Sequence, residues 1–137
     1  MKGLEKYEAK ILIAWGEAIS GNTKIRSWLV KNGYPELSVF CYALNNQDDA
    51  RQWLMDNNFP HLMALINGIE RNERALEWLG INEYYLLRNL ALAADGSEAS
   101  MSWLKGKHPA FAILAGKMEV IKRRIDDDNY DPHKMNL

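Results

Sequence analysis

Four tryptophans recur at a fixed interval, and this interval constrains the fold more than any other feature of the chain. Each is followed by a leucine, and each successive pair is 25 residues apart: Trp28, Trp53, Trp78 and Trp103. Self-similarity at a fixed period is the signature of repeat architectures, in which stacked copies of one small unit bury a continuous core. The spacing therefore predicts that a 25-residue repeat organises most of the chain.

A second set of apolar positions precedes each tryptophan. The positions 16 and 13 residues before it form two columns: Leu12, Leu37, Leu62 and Leu87, and Trp15, Phe40, Leu65 and Leu90. Small residues follow at Ala18, Ala43, Gly68 and Ala93. The resulting i, i+3, i+6 spacing is typical of one face of an amphipathic helix. Each repeat is therefore predicted to contain two short helices, the second of which carries the tryptophan.

The breaks between these stripes have the composition of helix ends. Past each tryptophan helix stand residues that mostly tolerate the left-handed conformation, Glu83 being the poorest fit: Asn32-Gly33, Asn57-Asn58 and Asn82-Glu83. Pro35 and Pro60 are predicted in the first turn of the next helix. The other break is polar and supplies cap residues such as Asn22 and Ser97 ahead of each tryptophan helix.

Helices of about ten residues are marginal alone in water, so stacking has to stabilise them. We expect the four repeated tryptophans to be the core of each layer, because packing recurs in every repeat whereas a ligand site occurs once. The aromatic column Tyr34, Phe59 and Tyr84 is likewise interpreted as packing.

The ends of the chain depart from the repeat. A long first helix is predicted over residues 4–19 and a long last helix from Pro109 to about residue 124, where the leucine column returns only after a one-residue deletion. We predict a single domain at 1–125, with repeats at about 9–33, 34–58, 59–83 and 84–108, a capping helix at about 109–125, and a polar acidic tail at 126–137.

The predicted fold is all-α, a right-handed α-solenoid-like stack of short helical hairpins. In general plan it resembles the ankyrin, tetratricopeptide and HEAT repeat proteins. Their sequence motifs are missing, and the unit is shorter than the roughly 33 to 47 residues of those repeats. The resemblance therefore extends to the architecture and to no functional residue.

Charge and composition narrow the function classes. Seventeen Lys and Arg residues against eighteen Asp and Glu leave a net charge of −1, which gives no general attraction to nucleic acid. The basic cluster at 122–124 runs into an acidic one and is interpreted as a solvated helix end. No apolar segment approaches the roughly 20 residues of a membrane span, and we expect a cytoplasmic protein. Cys41, the single cysteine, is predicted to be a buried apolar residue.

No motif for metal or cofactor binding is found. His61, His108 and His133 have no second histidine or cysteine at metal-ligand spacing, so no zinc site is predicted. The acidic tail lacks the glycine of a calcium loop and ends in Leu137 where that loop needs glutamate. We expect no cofactor, no metal and no catalytic residue.

Positions that vary within the repeat are the candidates for recognition. Tyr42 and Asn67 share one column, Arg26 and Arg51 share another, and His61 lies at a turn. These five residues form the predicted partner surface of a non-enzymatic protein- or peptide-binding module, which includes the case of a small inhibitor or immunity-type protein. The alternative is a small-ligand-binding protein or enzyme subunit with a site in the concave groove, around Tyr42, Arg51 and His61.

Overall fold

The computed structural model describes residues 3–129, and this part of the chain is all-helical. A short 3-10 helix at Gly3–Lys6 precedes nine α-helices within that range. They are α1 Ala9–Ile19, α2 Thr23–Lys31, α3 Pro35–Leu44, α4 Asp48–Asp56, α5 Pro60–Ile69, α6 Glu73–Ile81, α7 Tyr85–Ala94, α8 Glu98–Lys107 and α9 Pro109–Asn129. The even-numbered helices begin at intervals of 25 residues, as do α3, α5 and α7.

Helices α1 to α7 all end with the same backbone motif. The residue two positions past each helix has a positive φ: Gly21, Gly33, Asn46, Asn58, Arg71, Glu83 and Gly96. The next amide N–H donates to the carbonyl five residues back, at N···O distances from 2.8 Å at Tyr34 to 3.1 Å at Asn22. This is the Schellman motif, which satisfies carbonyls that the helix leaves unpaired. The predicted left-handed positions after the tryptophan helices are confirmed, including Glu83.

The helix starts also follow the sequence signals. The side chains of Asn22, Asn72 and Ser97 each accept a hydrogen bond from the backbone N–H three residues on, as N-caps of α2, α6 and α8. Pro35 and Pro60 are the first residues of α3 and α5, as predicted. Proline suits this position because its missing N–H would have no partner there.

The odd-numbered helices form the inner layer. Each contacts the next odd-numbered helix along the chain, and α9 also contacts α1, so these five helices form a closed circuit of contacts. Each even-numbered helix packs on the odd-numbered helices before and after it.

The centre of this inner layer is filled by the predicted apolar column. Trp15 and Phe40 are fully buried, with ring centroids 5.0 Å apart in an edge-to-face arrangement. The Trp15 indole N–H donates to the Leu37 carbonyl at 3.0 Å, so the ring is buried without an unsatisfied donor. Leu65 and Leu90 continue the column and are also fully buried.

The prediction that the four repeated tryptophans are core residues is wrong for Trp28 and Trp78, whereas Trp53 and Trp103 pack against the core from its edge. Trp28 is 42% exposed and Trp78 36% exposed, while Trp53 and Trp103 are half-buried. The side chain that fills each layer is the leucine that follows the tryptophan: Leu29, Leu54, Leu79 and Leu104, all fully buried. Successive helical residues point about 100° apart, so the leucine faces the inner layer while the indole lies over the turn.

Two of the repeated indoles stack on an aromatic ring of the turn that follows their helix. The Trp53 ring stacks on Phe59 with centroids 6.0 Å apart, and the Trp78 ring stacks on Tyr84 at 5.7 Å. The packing interpretation of the Tyr34, Phe59 and Tyr84 column is confirmed, because all three contact the core.

Both ends of the chain differ from the predicted bounds. Instead of one helix over residues 4–19, the 3-10 helix buries Leu4 and is separated from α1 by Tyr7 and Glu8. Helix α9 continues to Asn129 rather than ending near residue 124. Residues 126–129, predicted as the start of an acidic tail, are thus helical, and residues 130–137 lie outside the described range.

Candidate binding surface

Two corresponding grooves open between the outer and inner helices. The first groove lies between α3 and α4 and is lined by Val39, Tyr42, Gln47, Asp49, Ala50 and Trp53, with a volume of about 330 Å³. The second groove, about 320 Å³, is lined by α4, α5 and α6 through Met55, Pro60, Met63, Ala64, Asn67, Asn72, Arg74, Ala75 and Trp78. Every residue of the first groove has its 25-residue equivalent in the second. The repeat therefore duplicates a surface feature as well as the core.

Both grooves are lined mainly by apolar surface. The walls of the second groove include Met55, which is 51% exposed, and the partly exposed Trp78. Met63 and Ala64 of α5 also line it, and Ala64 corresponds to Val39 of the first groove. Apolar side chains that line a concave surface are typical of a binding site rather than of a plain solvated face.

Tyr42 and Asn67, two of the predicted surface residues, occupy equivalent positions in these grooves. Tyr42 lines the first and Asn67 the second, and both are half-buried. The second groove thus has the smaller amide of Asn67 where the first groove has the phenol ring of Tyr42.

Arg26 lies in the interior rather than on the surface. It is only 9% exposed, its Nε donates to the Ala18 carbonyl at 2.9 Å, and its guanidinium lies 4.7 Å from the centroid of the Tyr42 ring. A cation at the carboxyl end of α1 interacts favourably with the helix dipole. Arg26 therefore stabilises the junction of α1, α2 and α3 and offers little to a partner.

Arg51 repeats the same contact one unit later. Its Nε donates to the Ala43 carbonyl at 3.1 Å, and its remaining donors reach Asn46 at 2.9 Å and the Glu70 carboxylate. The sequence carries a signal for this role, because each arginine follows a small residue eight positions earlier at the end of the preceding helix. In the third repeat the arginine column holds Leu76, which instead packs beside Gly68.

His61 lies at the start of α5, in a continuous run of aromatic rings. Its ring stacks on Tyr84 with centroids 5.3 Å apart and is 6.1 Å from Phe59. Burial lowers the pKa of His61 below its usual 6.5, and the nearby charge of Lys6 lowers it further. His61 is therefore neutral at physiological pH.

The contacts of Tyr42, Arg51 and His61 do not overlap. Tyr42 contacts Arg26 and the first groove, Arg51 contacts the carboxyl end of α3, and His61 contacts the turn before α7. The structure thus separates the three residues that the alternative hypothesis places in one concave site.

No relative accounts for this arrangement. Comparison with models of known protein families, with curated proteins and with solved structures finds no match. Functional residues therefore have to be identified from the geometry of this chain itself.

A cleft that the sequence did not indicate lies where the carboxyl ends of α3 and α5 meet α9. It measures about 250 Å³, and its lining includes Leu44, Ile69, Glu70 and Lys122. The Lys122 side chain is only 13% exposed; its ammonium donates to the Ile69 carbonyl and lies 3.4 Å from Asp95. The interpretation of the basic cluster at residues 122–124 as a solvated helix end is therefore wrong for Lys122. Its ammonium joins α9 to the carboxyl ends of α5 and α7 by neutralising their dipoles.

The Cys41 thiol is fully buried, as predicted. Burial raises its pKa to about 12, an effect that the nearby Arg26 partly offsets. Since the thiolate is the reactive form, this cysteine is chemically inert at neutral pH.

Among residues 3–129, no group of three histidine, cysteine, aspartate or glutamate residues has an arrangement that could hold a metal ion. In the same range, none of the helices combines the length and the hydropathy needed to cross a membrane.

Proposed function

We propose that this chain is a non-enzymatic helical-repeat module that binds a protein or a peptide through the second groove. The proposed architecture is a right-handed, α-solenoid-like stack with a 25-residue unit. The recurrence of the helix starts, of the Schellman turns and of the arginine contacts supports this repeat. A binding role is a common use of such stacks, because their variable positions lie on a constant framework.

The observation that carries the proposal is the apolar lining of the second groove. Met55 and Trp78 stand at its walls with a large part of their surface in water. Tryptophan is enriched at the energetic centres of interfaces, and methionine adapts its shape to different partners. An amphipathic helix or a short apolar peptide segment has the right chemistry to cover such a groove.

The small-ligand alternative has less support. It requires Tyr42, Arg51 and His61 to converge, whereas each is engaged by a different set of neighbours. The circuit of inner helices is also filled with buried side chains such as Trp15 and Phe40.

The test is affinity purification of the full chain from its native cell, followed by mass spectrometry and binding measurements with the purified partner. Two variants change the groove. Asn67→Tyr introduces the ring that the first groove already accommodates, and Trp78→Ala removes one wall. Arg123→Glu is the control, because Arg123 is 73% exposed and lies on α9, away from the groove.

We expect one reproducible partner that the wild type and Arg123→Glu retain and that both groove variants bind at least about tenfold more weakly. Circular dichroism has to show that each bait is folded. A partner that both groove variants retain at full affinity would contradict the proposal, as would the absence of any partner for the folded wild type.

A further inference from the structure

The exposed stripes of α2 and α4 carry opposite charges at equivalent positions. Lys24 and Lys31 of α2 correspond, 25 residues on, to Asp49 and Asp56 of α4. Positions i and i+7 lie on one helical face, so each pair forms a stripe along its helix. All four side chains are exposed. Helix α2 contains no acidic residue, and the one basic residue of α4, Arg51, is already engaged.

The needs of each helix alone do not explain this charge pattern. Lys24 stands in the first turn of α2 and Asp56 is the last residue of α4, so both oppose the dipole of their own helix. Among the ion pairs of residues 3–129, none involves Lys24, Lys31 or Asp49. The unused charges are available to another molecule.

Apolar side chains accompany both stripes at equal register. Trp28 and Val30 of α2 correspond to Trp53 and Met55 of α4, and Val30 and Met55 are each half-exposed. The residues that precede the two tryptophans are both polar and uncharged, Ser27 in α2 and Gln52 in α4. The two helices therefore present the same apolar pattern with inverted charge.

We infer that two copies of this chain associate face to face about a two-fold axis that lies outside the chain and runs parallel to α3. Because α3 returns the chain between them, α2 and α4 run in the same direction. A two-fold axis parallel to both places α2 of one copy against α4 of the other in equal register. Lys24 then faces Asp49 of the second copy, and Lys31 faces Asp56 of the second copy. Symmetry forms each pair twice.

The other axes of the same kind give less complementary surfaces. An axis parallel to α5 pairs Asp49 with Arg74 of the second copy, but it sets Asp48 against Glu73 and leaves Asp56 opposite Ile81. An axis parallel to α7 places Glu73 against Glu98 of the second copy and leaves Arg74 opposite Ala99. Of these three axes, only the one parallel to α3 pairs opposite charges at both stripe positions, so the charge pattern favours it. This inference concerns the α2 and α4 stripes and does not depend on a partner in the second groove.

The test uses the purified full chain in sedimentation equilibrium at low salt, over roughly a hundredfold range of protein concentration. The acidic variant is Lys24→Glu with Lys31→Glu, and the basic variant is Asp49→Lys with Asp56→Lys. Each should dimerise at least about tenfold more weakly than the wild type, because all four facing pairs become like-charged. Glu77→Lys with Lys105→Glu is the control that changes charge elsewhere.

Mixing supplies the decisive measurement. In an equimolar mixture of the two variants, every facing pair is again of opposite charge, so a heterodimer should form. The quadruple variant that exchanges all four charges should likewise regain the wild-type dimer. A wild type that is monomeric over the whole range would overturn the inference, and so would variants that dimerise normally or fail to pair when mixed. The groove variants Asn67→Tyr and Trp78→Ala, tested in the native-cell purification, decide the proposed function separately.

Discussion

Trp15 packs edge-on against Phe40, its equivalent one repeat later, with ring centroids 5.0 Å apart and an interplanar angle of 68°. Both rings are fully buried, and the indole N–H is satisfied by the Leu37 carbonyl. Trp15 does not belong to the series of tryptophans spaced by 25 residues, yet it is the tryptophan that is fully buried in the core. The structure thus assigns different roles to Trp15 and to Trp28, which is well exposed.

This contrast predicts a difference in stability between two tryptophan truncations. Trp15→Ala should lower the free energy of unfolding by about 3–5 kcal/mol, since it leaves a cavity in the core and removes a hydrogen bond. Trp28→Ala should cost only about 1–2 kcal/mol, because much of its ring is already in water. Urea denaturation followed by circular dichroism measures both. Equal losses would show that the ladder tryptophan is as much a core residue as Trp15.

A second prediction concerns the left-handed position at Glu83, where φ is +62°. The equivalent residue two repeats earlier in the chain is Gly33, which adopts a positive φ without steric cost. We expect Glu83→Gly to raise the free energy of unfolding by about 1 kcal/mol, because the non-glycine side chain is disfavoured in this conformation. Thermal and urea unfolding measure the gain. Gly33→Glu is the reciprocal variant and should lower stability by a similar amount; unchanged stability in both would contradict this account.

A third prediction separates two neighbouring cations of α9. Lys122→Met should lower the free energy of unfolding by about 1–3 kcal/mol, because the buried Ile69 carbonyl and the Asp95 carboxylate lose a charged partner. Arg123→Met is the control, since Arg123 is mainly in water and its pair with Glu119 is of the exposed i, i+4 kind. Its effect should stay below about 0.5 kcal/mol. Similar effects for the two variants would argue that the contacts of Lys122 with the ends of α5 and α7 do not stabilise the fold.

The features that the sequence predicted well are local ones. A Schellman turn depends on a few consecutive residues. The pairs Asn32-Gly33 and Asn57-Asn58 were therefore enough to predict a left-handed residue after the helix. The column that contains Trp15 and Phe40 was equally accessible, because helical spacing identifies the face that is buried.

Two kinds of feature could not be predicted in the same way. Trp28 and Leu29 are adjacent apolar residues, and the repeat alone does not tell which of them faces the inner layer. The Lys122 ammonium donates to the Ile69 carbonyl, which is 53 residues away in the sequence. The charges around Lys122 in the sequence do not indicate a contact over such a distance. The second groove likewise could not be predicted, because it depends on how α4, α5 and α6 pack together. Once the first groove is known, the 25-residue repeat identifies six of the residues that line the second.

The last prediction is a dependence of stability on pH that comes from His61. Its pKa is lower in the folded chain than the usual 6.5, because burial beside Tyr84 and the charge of Lys6 disfavour the protonated ring. The unfolded chain therefore binds the proton first on acidification. The stability that the neutral ring supports is fully present above pH 6.5 and is lost progressively as the pH falls through that value toward the folded pKa. The side chain of the His61→Gln variant cannot titrate. Urea unfolding at a series of pH values should therefore show a smaller loss of unfolding free energy between pH 8 and pH 5 for this variant than for the wild type.

The other groups that titrate in this range are common to both chains, so their effects cancel in the comparison. Parallel curves for the two chains would contradict the buried, neutral state of His61 in the aromatic run.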